Sequence, residues 1–174
     1  MVLFQLITTR FIQVYIAQGL VLLVFIILAI KLICNEPKRT KIILSGFYFF
    51  GGVGLFINFI YALIYNQAIV KFFNFITNFC VVFSVIFPMV FCLTFYKGDE
   101  KVGITKQLVS FSVYGLFVFL MILIPNGVEI NEHTGWTPHW SILLFIYVSL
   151  VMTAGAVIPT IYYALKIHQM IEVV

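Results

Sequence analysis

Asp, Glu, Lys and Arg are absent from five long stretches of this chain, residues 11–30, 42–70, 72–96, 107–128 and 140–165. A helix rises about 1.5 Å per residue, so about 20 apolar residues cross the ~30 Å hydrocarbon layer of a bilayer. Every stretch reaches that length. The spacing of charge therefore fixes the solvent before anything else. It predicts an all-α integral membrane bundle of five transmembrane helices, over approximately 11–33, 42–65, 71–96, 105–125 and 140–167, forming one transmembrane domain across 1–174. Composition agrees, since 9% of residues are charged against about a quarter in soluble domains.

The net charge of +4 does not point to nucleic acid, because the basic residues flank the apolar stretches instead of forming a folded basic face. Three cysteines without a CxxC pair make neither a disulfide framework nor a zinc site. Cys34, beside a basic loop, has the setting of a palmitoyl acceptor, although a free buried thiol is the ordinary expectation. Residues 1–30 read as a retained helix and not a cleaved signal, since Arg10 is the only early charge and no small-x-small cleavage site follows.

Charge alternates from loop to loop. Segments 31–41 and 97–106, with Lys166 after the last stretch, hold eight basic residues; the opposite side has only Arg10 and Lys71. The positive-inside rule then predicts the N-terminus outside and the C-terminus cytoplasmic, in a multi-pass protein of the plasma (cell) membrane. Pro37 is expected to end the first helix, and Pro125 to close the fourth. Pro88 and Pro159 fall inside stretches and predict kinks in helices three and five.

With that orientation, Gln18, Asn58 and Asn78 lie about 10 Å below the outer surface, counting ~1.5 Å per residue. Gln13, Asn74, Tyr61, Tyr65 and Tyr147 fall in or above the same layer. Such amides glue helices together, and a common depth also suits an outward-opening pocket for a small apolar or lipid-like ligand. Gly54, Asn58, Ala62 and Asn66 recur every four residues on helix two, and Ser149, Thr153, Ala156 and Thr160 form a second stripe on helix five. Both stripes are expected to be helix-packing faces, within one subunit or between subunits.

Residues 126–140 carry Glu129, Glu132, His133, His139, Trp136 and Trp140. The spacing matches no recognised metal-ligand pattern, and no metal or other cofactor is expected. Both tryptophans suit an aromatic belt at the start of helix five, with Trp136 and His139 at the mouth of the polar layer. The run Gly135-Trp136-Thr137-Pro138-His139-Trp140-Ser141 leading into a final helix resembles the outer loop of multi-helix N-terminal sensor regions in archaeal and bacterial membrane histidine kinases. The resemblance covers about seven residues and the helix after them. Those regions commonly have more spans and continue into a cytoplasmic signalling domain. Here the resemblance implies signalling through a partner if Val174 is the true end, with Tyr162 to Glu172 as a stalk.

No HExxH, GxSxG or phosphate loop occurs, no stretch contains paired carboxylates, and His168 is expected to lack a nearby acidic partner. Ion-coupled transporters keep an ionisable group inside the membrane, and these stretches have none. The expectation is a non-enzymatic, sensor-like or ligand- and lipid-binding module. Its ligand-binding residues would be Gln18, Asn58, Asn78, Tyr147, Trp136 and His139, and its helix-packing residues Gly54, Asn58, Ala62, Ser149, Thr153 and Ala156. Membrane lipids, further copies of the chain or other membrane subunits are the expected partners, with no nucleic acid. The alternative is a structural or assembly subunit of a larger membrane complex.

Overall fold

The fold comes from a computed structural model that describes residues 11–34, 38–98, 100–131 and 133–172. Arg10, Pro37, Glu132 and Val174, which figure in the sequence reading, lie outside the described residues. Among those described, five helices are long and apolar enough to cross a membrane: α1 (Ile12–Cys34), α2 (Arg39–Tyr61), α3 (Gln67–Lys97), α4 (Ile104–Leu123) and α5 (Ile142–Glu172). Two short strands, β1 (Val128–Glu129) and β2 (His139–Trp140), pair antiparallel between α4 and α5. The end carrying this hairpin is called the loop end below, and the end carrying Arg39, Lys97 and Lys106 the basic end.

Helix boundaries depart from the charge-free stretches for local reasons. α2 starts at Arg39 instead of 42, because Lys and Arg are good helix formers. It ends at Tyr61, and α3 begins at Gln67, earlier than 71, because Asn66 caps it: the Asn66 Oδ1 accepts the Ile69 N–H at 3.2 Å. The regular part of α4 stops at Phe119, tightens to a 3-10 turn over Leu120–Leu123, and gives way to extended backbone at Ile124. Ile124 precedes Pro125, and proline disfavours the helical conformation in the residue before it. α5 continues to Glu172.

α3 is the central helix, packing on α2, α4 and α5, whereas α1 packs mainly on α2. In the apolar 18-residue window of α3 a third of the residues are buried (33%), against 6% in that of α1. The main core gathers Val82, Ile86, Val90, Tyr114, Val118, Leu144, Val148 and Ala156, with Phe79, Phe83, Phe87 and Phe111 packed around it. Phe87 and Phe111 approach to 4.7 Å between ring centroids, and Phe79 stacks on Phe83 at 5.6 Å. A smaller core at the loop end joins Tyr61, Val70 and Ile130.

Both intrahelical prolines break the regular ladder about one turn upstream. A proline has no N–H for the carbonyl four residues earlier, and its ring crowds that group. For Pro88 this is Ser84, where the regular α-helix stops; the Val85 N–H turns back to the Val82 carbonyl at 3.3 Å before the helix resumes at Ile86. For Pro159 it is Gly155, which lies in a π-helical turn over Thr153–Val157. Tyr114 of α4 meets both breaks. Its hydroxyl donates to the Val82 carbonyl at 3.1 Å, and its ring lies where a Cβ on Gly155 would sit, 2.9 Å from Tyr114 Cε2.

The helix-two stripe divides between two neighbours, because residues four apart advance 400° and so drift about 40° round the helix at each step. Gly54 faces α3, where a Cβ would come within 3.0 Å of the Thr77 backbone oxygen. Asn58 instead bonds α1, and Ala62 is buried. On α5, Ala156 is fully buried, Ser149 is half-buried and Thr153 is exposed. Two expectations are corrected. Cys34 is exposed, at the last residue of α1. His168 has an acidic partner, Glu172 at 3.3 Å, because a four-residue spacing puts both on one helix face.

Gly155→Val is expected to lower stability by about 1–3 kcal/mol, as overpacking does. Tyr114→Phe should cost about 1 kcal/mol through the lost bond to Val82. Thermal unfolding of the detergent-solubilised protein measures both, and if the ring and the hydroxyl act as one strut their effects will not add.

Candidate functional site

Two polar clusters interrupt the otherwise apolar bundle, one near each end. At the loop end, the Asn58 amide donates to Gln18 Oε1, tying α2 to α1. The Tyr15 hydroxyl adds a bond to the Phe59 carbonyl at 3.3 Å, and its ring meets Phe59 edge-on at 5.2 Å. These are the contacts that hold the sparsely buried α1 against α2 at this level.

A second chain of bonds runs along α3. Asn78 Nδ2 donates to Asn74 Oδ1 at 3.0 Å, four residues away on the same face, and Asn74 Nδ2 donates to the Tyr61 hydroxyl at 2.9 Å. Asn74 and Tyr61 are both buried. Tyr61 in turn packs against Ile130 and Val70. A continuous path therefore leads from the α4–α5 loop, through Ile130 and Tyr61, to the amides of α3. Thr77, adjacent to Asn78, is buried too, and its hydroxyl has no hydrogen-bond partner among the described residues.

The loop over this cluster is folded. Val128 pairs with Trp140 and Glu129 with His139. Asn131 and Thr134 bond reciprocally, N–H to side-chain oxygen, at 2.9 and 3.0 Å. The Trp136 N–H reaches back to the Asn131 carbonyl at 3.0 Å. Gly135 and Trp136 both take left-handed backbone, with φ of 58° and 60°. That conformation is uncommon for a bulky residue, and here the return bond to Asn131 and an edge contact of the indole with Tyr65 at 6.0 Å hold it. Ser141 then starts α5: its N–H bonds the Gly127 carbonyl at 2.8 Å, and its hydroxyl accepts the Leu144 N–H at 3.2 Å.

The residues singled out from the sequence thus fall into separate groups. Gln18 and Asn58 meet each other. Asn78 belongs to the Asn74–Tyr61 chain, and Trp136 lies over the small core containing Tyr61. Tyr147 donates instead to the Phe117 carbonyl of α4 at 2.6 Å, and His139 is exposed on β2. Among the described residues no three His, Cys, Asp or Glu side chains gather where a metal would need them.

The cluster at the basic end was not anticipated. Arg39 Nε donates to Gln107 Oε1 at 3.2 Å, and Arg39 Nη2 to the Val102 carbonyl at 2.9 Å. Gln107 Nε2 donates onward to Thr94 Oγ1 at 2.9 Å. One guanidinium and one amide so join α2, α3, α4 and the turn between the last two. Gln107 and Thr94 are buried. The available signal was a lone amide at the very edge of a charge-free stretch, facing an arginine that had been read for topology alone.

Compared with models of protein families, with curated proteins and with solved structures, the chain matches none. The geometry defines its class only as an all-helical bundle with five helices long and apolar enough to cross a membrane.

Gln107→Leu removes a buried amide and leaves Thr94 and one face of Arg39 without it. A loss of about 1–3 kcal/mol is expected, read as a lowered melting temperature, while Gln13→Leu on the exposed start of α1 should leave it unchanged.

Proposed function

We propose that this chain is a non-enzymatic, multi-pass membrane protein of the plasma membrane that binds a small apolar or lipid-like ligand in its loop-end half and relays its presence along α5. The N-terminus would lie outside and the C-terminus in the cytoplasm. The distribution of Lys and Arg supports that orientation: Lys31, Arg39, Lys41, Lys97, Lys101 and Lys106 cluster at one end, whereas Lys71 is at the other. Single cysteines introduced at His133 and Lys101, in a background without the natural ones, check this in intact cells. A membrane-impermeant maleimide should label the first and not the second.

The observation that carries the ligand reading is Thr77. A buried hydroxyl without a partner is costly, and this one belongs to the residue preceding Asn78 of the Asn78–Asn74–Tyr61 chain. A ligand with one polar group and an apolar body would supply the missing partner. Relay through α5 is supported by its continuity, since Ser141 anchors its start to the loop and the π turn at Thr153–Val157 is an irregular segment of a kind frequent at functional sites. The resemblance of Gly135–Ser141 to the outer loops of membrane sensor regions is the basis for calling the module sensor-like.

Replacing Thr77 with Val separates function from packing. Val is nearly the same shape and removes the unsatisfied hydroxyl, so the melting temperature of the ligand-free protein should hold or rise. Retention of a co-purifying ligand, identified by mass spectrometry of protein extracted in its native lipids, should fall at least tenfold. Asn58→Leu with Asn78→Leu should abolish retention while the bundle stays folded. Unfolding of that double variant, with Thr77→Val lowering stability, would assign the layer to packing alone.

The alternative, a structural or assembly subunit, is favoured by α1, whose side carrying Leu20, Leu23 and Ile27 is exposed and apolar and so available to a neighbour. Native mass measurement after mild extraction decides it, since a lone 20.0 kDa species excludes a stable partner.

A further inference from the structure

At the basic end, an open cleft of about 720 Å³ lies between the end of α3, the α3–α4 turn and the last turns of α5. Lys97, Lys101 and Lys106 line it, with Glu100 as the one carboxylate among the described lining residues. Its remaining walls are apolar, chiefly Leu93, Tyr96 and Met170. Tyr96 and Met170 also line an adjoining groove of about 360 Å³, completed by Phe95, Ile167 and Ile171. A cationic chamber and an apolar trough therefore adjoin at Tyr96 and Met170.

The chamber is built on a fixed floor. Val102, 3% exposed, is held by the bond from Arg39 to its carbonyl, and Arg39 is itself bonded to Gln107. The turn leaves α3 through Gly98, whose φ of 83° suits a residue without a Cβ. The Lys106 ammonium donates to the Lys101 carbonyl at 3.0 Å, which places its charge at the rim. The level is also distinctive. The apolar run of α3 ends at Tyr96 and Lys97 begins the charged turn, so the chamber stands where hydrocarbon would give way to headgroups and the trough stands just inside it.

We infer that this cleft is a binding site for an anionic phospholipid, with the headgroup phosphate among Lys97, Lys101 and Lys106 and an acyl chain along Tyr96, Met170, Ile167 and Ile171. Three ammonium groups outnumber the carboxylate among the described lining residues, and also the two acidic residues that the sequence places in this turn, Asp99 and Glu100, so charge favours an anion. The contiguous trough selects an amphiphile over a free anion, because an inorganic ion gains nothing from apolar walls. A zwitterionic lipid presents the same chains but carries a compensating cation that the lysines repel. The site shares no residue with the loop-end layer and does not rest on the function proposed for that layer. Because Met170 and Ile167 belong to the last turns of α5, an occupied cleft would pin the end of that helix to α3.

The experiment is a titration of the full chain in detergent with phosphatidylglycerol or phosphatidylcholine, read by native mass spectrometry. Wild type is expected to bind phosphatidylglycerol at least tenfold more tightly than phosphatidylcholine. Lys97→Gln, Lys101→Gln and Lys106→Gln together should erase that preference. The charge-matched set Lys31→Gln, Lys38→Gln and Lys71→Gln should keep it. Met170→Asp, which puts a charge in the trough, should weaken phosphatidylglycerol at least fivefold without changing the melting temperature. Equal affinity for the two lipids, equal losses in both lysine sets, or displacement of the lipid by millimolar inorganic phosphate would each overturn the assignment; the last would mark a free-anion site. All six lysines are at least partly accessible side chains away from the core, so folding of the variants is expected, and circular dichroism confirms it before titration.

Discussion

The bundle depends on satisfying backbone groups where its helices break. In an apolar setting a carbonyl without a donor costs several kcal/mol, and two prolines near the middle of the longest helices each remove a donor. Tyr114 braces both breaks with one side chain, one by a hydrogen bond and the other by packing. Its hydroxyl reaches the Val82 carbonyl in the irregular turn ahead of Pro88, and its ring fills the space left by Gly155 in the π turn ahead of Pro159. α3, α4 and α5, three of the four helices that contribute to the main core, are thereby fastened at one residue, in the cluster that includes Val82, Val118, Val148 and Ala156. A phenylalanine-rich surface supplies abundant contact area but little direction; the tyrosine supplies the direction.

The polar clusters at the two ends use the same economy differently. At the basic end a single guanidinium bonds a side-chain amide and a backbone carbonyl, so four elements meet through Arg39 and Gln107. Charge-assisted bonds of that kind are stronger than amide pairs, and this end is correspondingly a firm base. At the loop end the bonds are neutral, and one buried hydroxyl is left over. An array of weaker bonds with an unspent donor is easier to rearrange. That asymmetry places adjustable chemistry under the loop and rigid chemistry opposite it.

Five apolar helices were legible in the sequence because exclusion of charge over 20 residues is a coarse, one-dimensional property that lipid-length helices require. Proline breaks in helices three and five were legible for an equally local reason. Helix ends were less so: Asn66 shifts the start of α3 by capping, which competes with hydropathy, and Arg39 sits inside a helix that a charge-free criterion must exclude. Partners were least legible. Depth counting put Gln18, Asn58 and Asn78 in one layer, but depth says nothing about azimuth. Asn58 turns toward α1 while Asn78 bonds within α3, and Tyr147, at a similar level, turns to the Phe117 carbonyl. The β1–β2 hairpin was hidden because two-residue strands leave no periodicity to read.

α5 is the element on which these features converge. Its first turn is capped within the folded loop, its π turn rests on Tyr114, and its last turns border the basic cleft. The π turn is centred four residues ahead of Pro159, and Gly155 within it lets the Tyr114 ring of α4 seat directly against α5, because a Cβ there would stand 2.9 Å from Tyr114 Cε2.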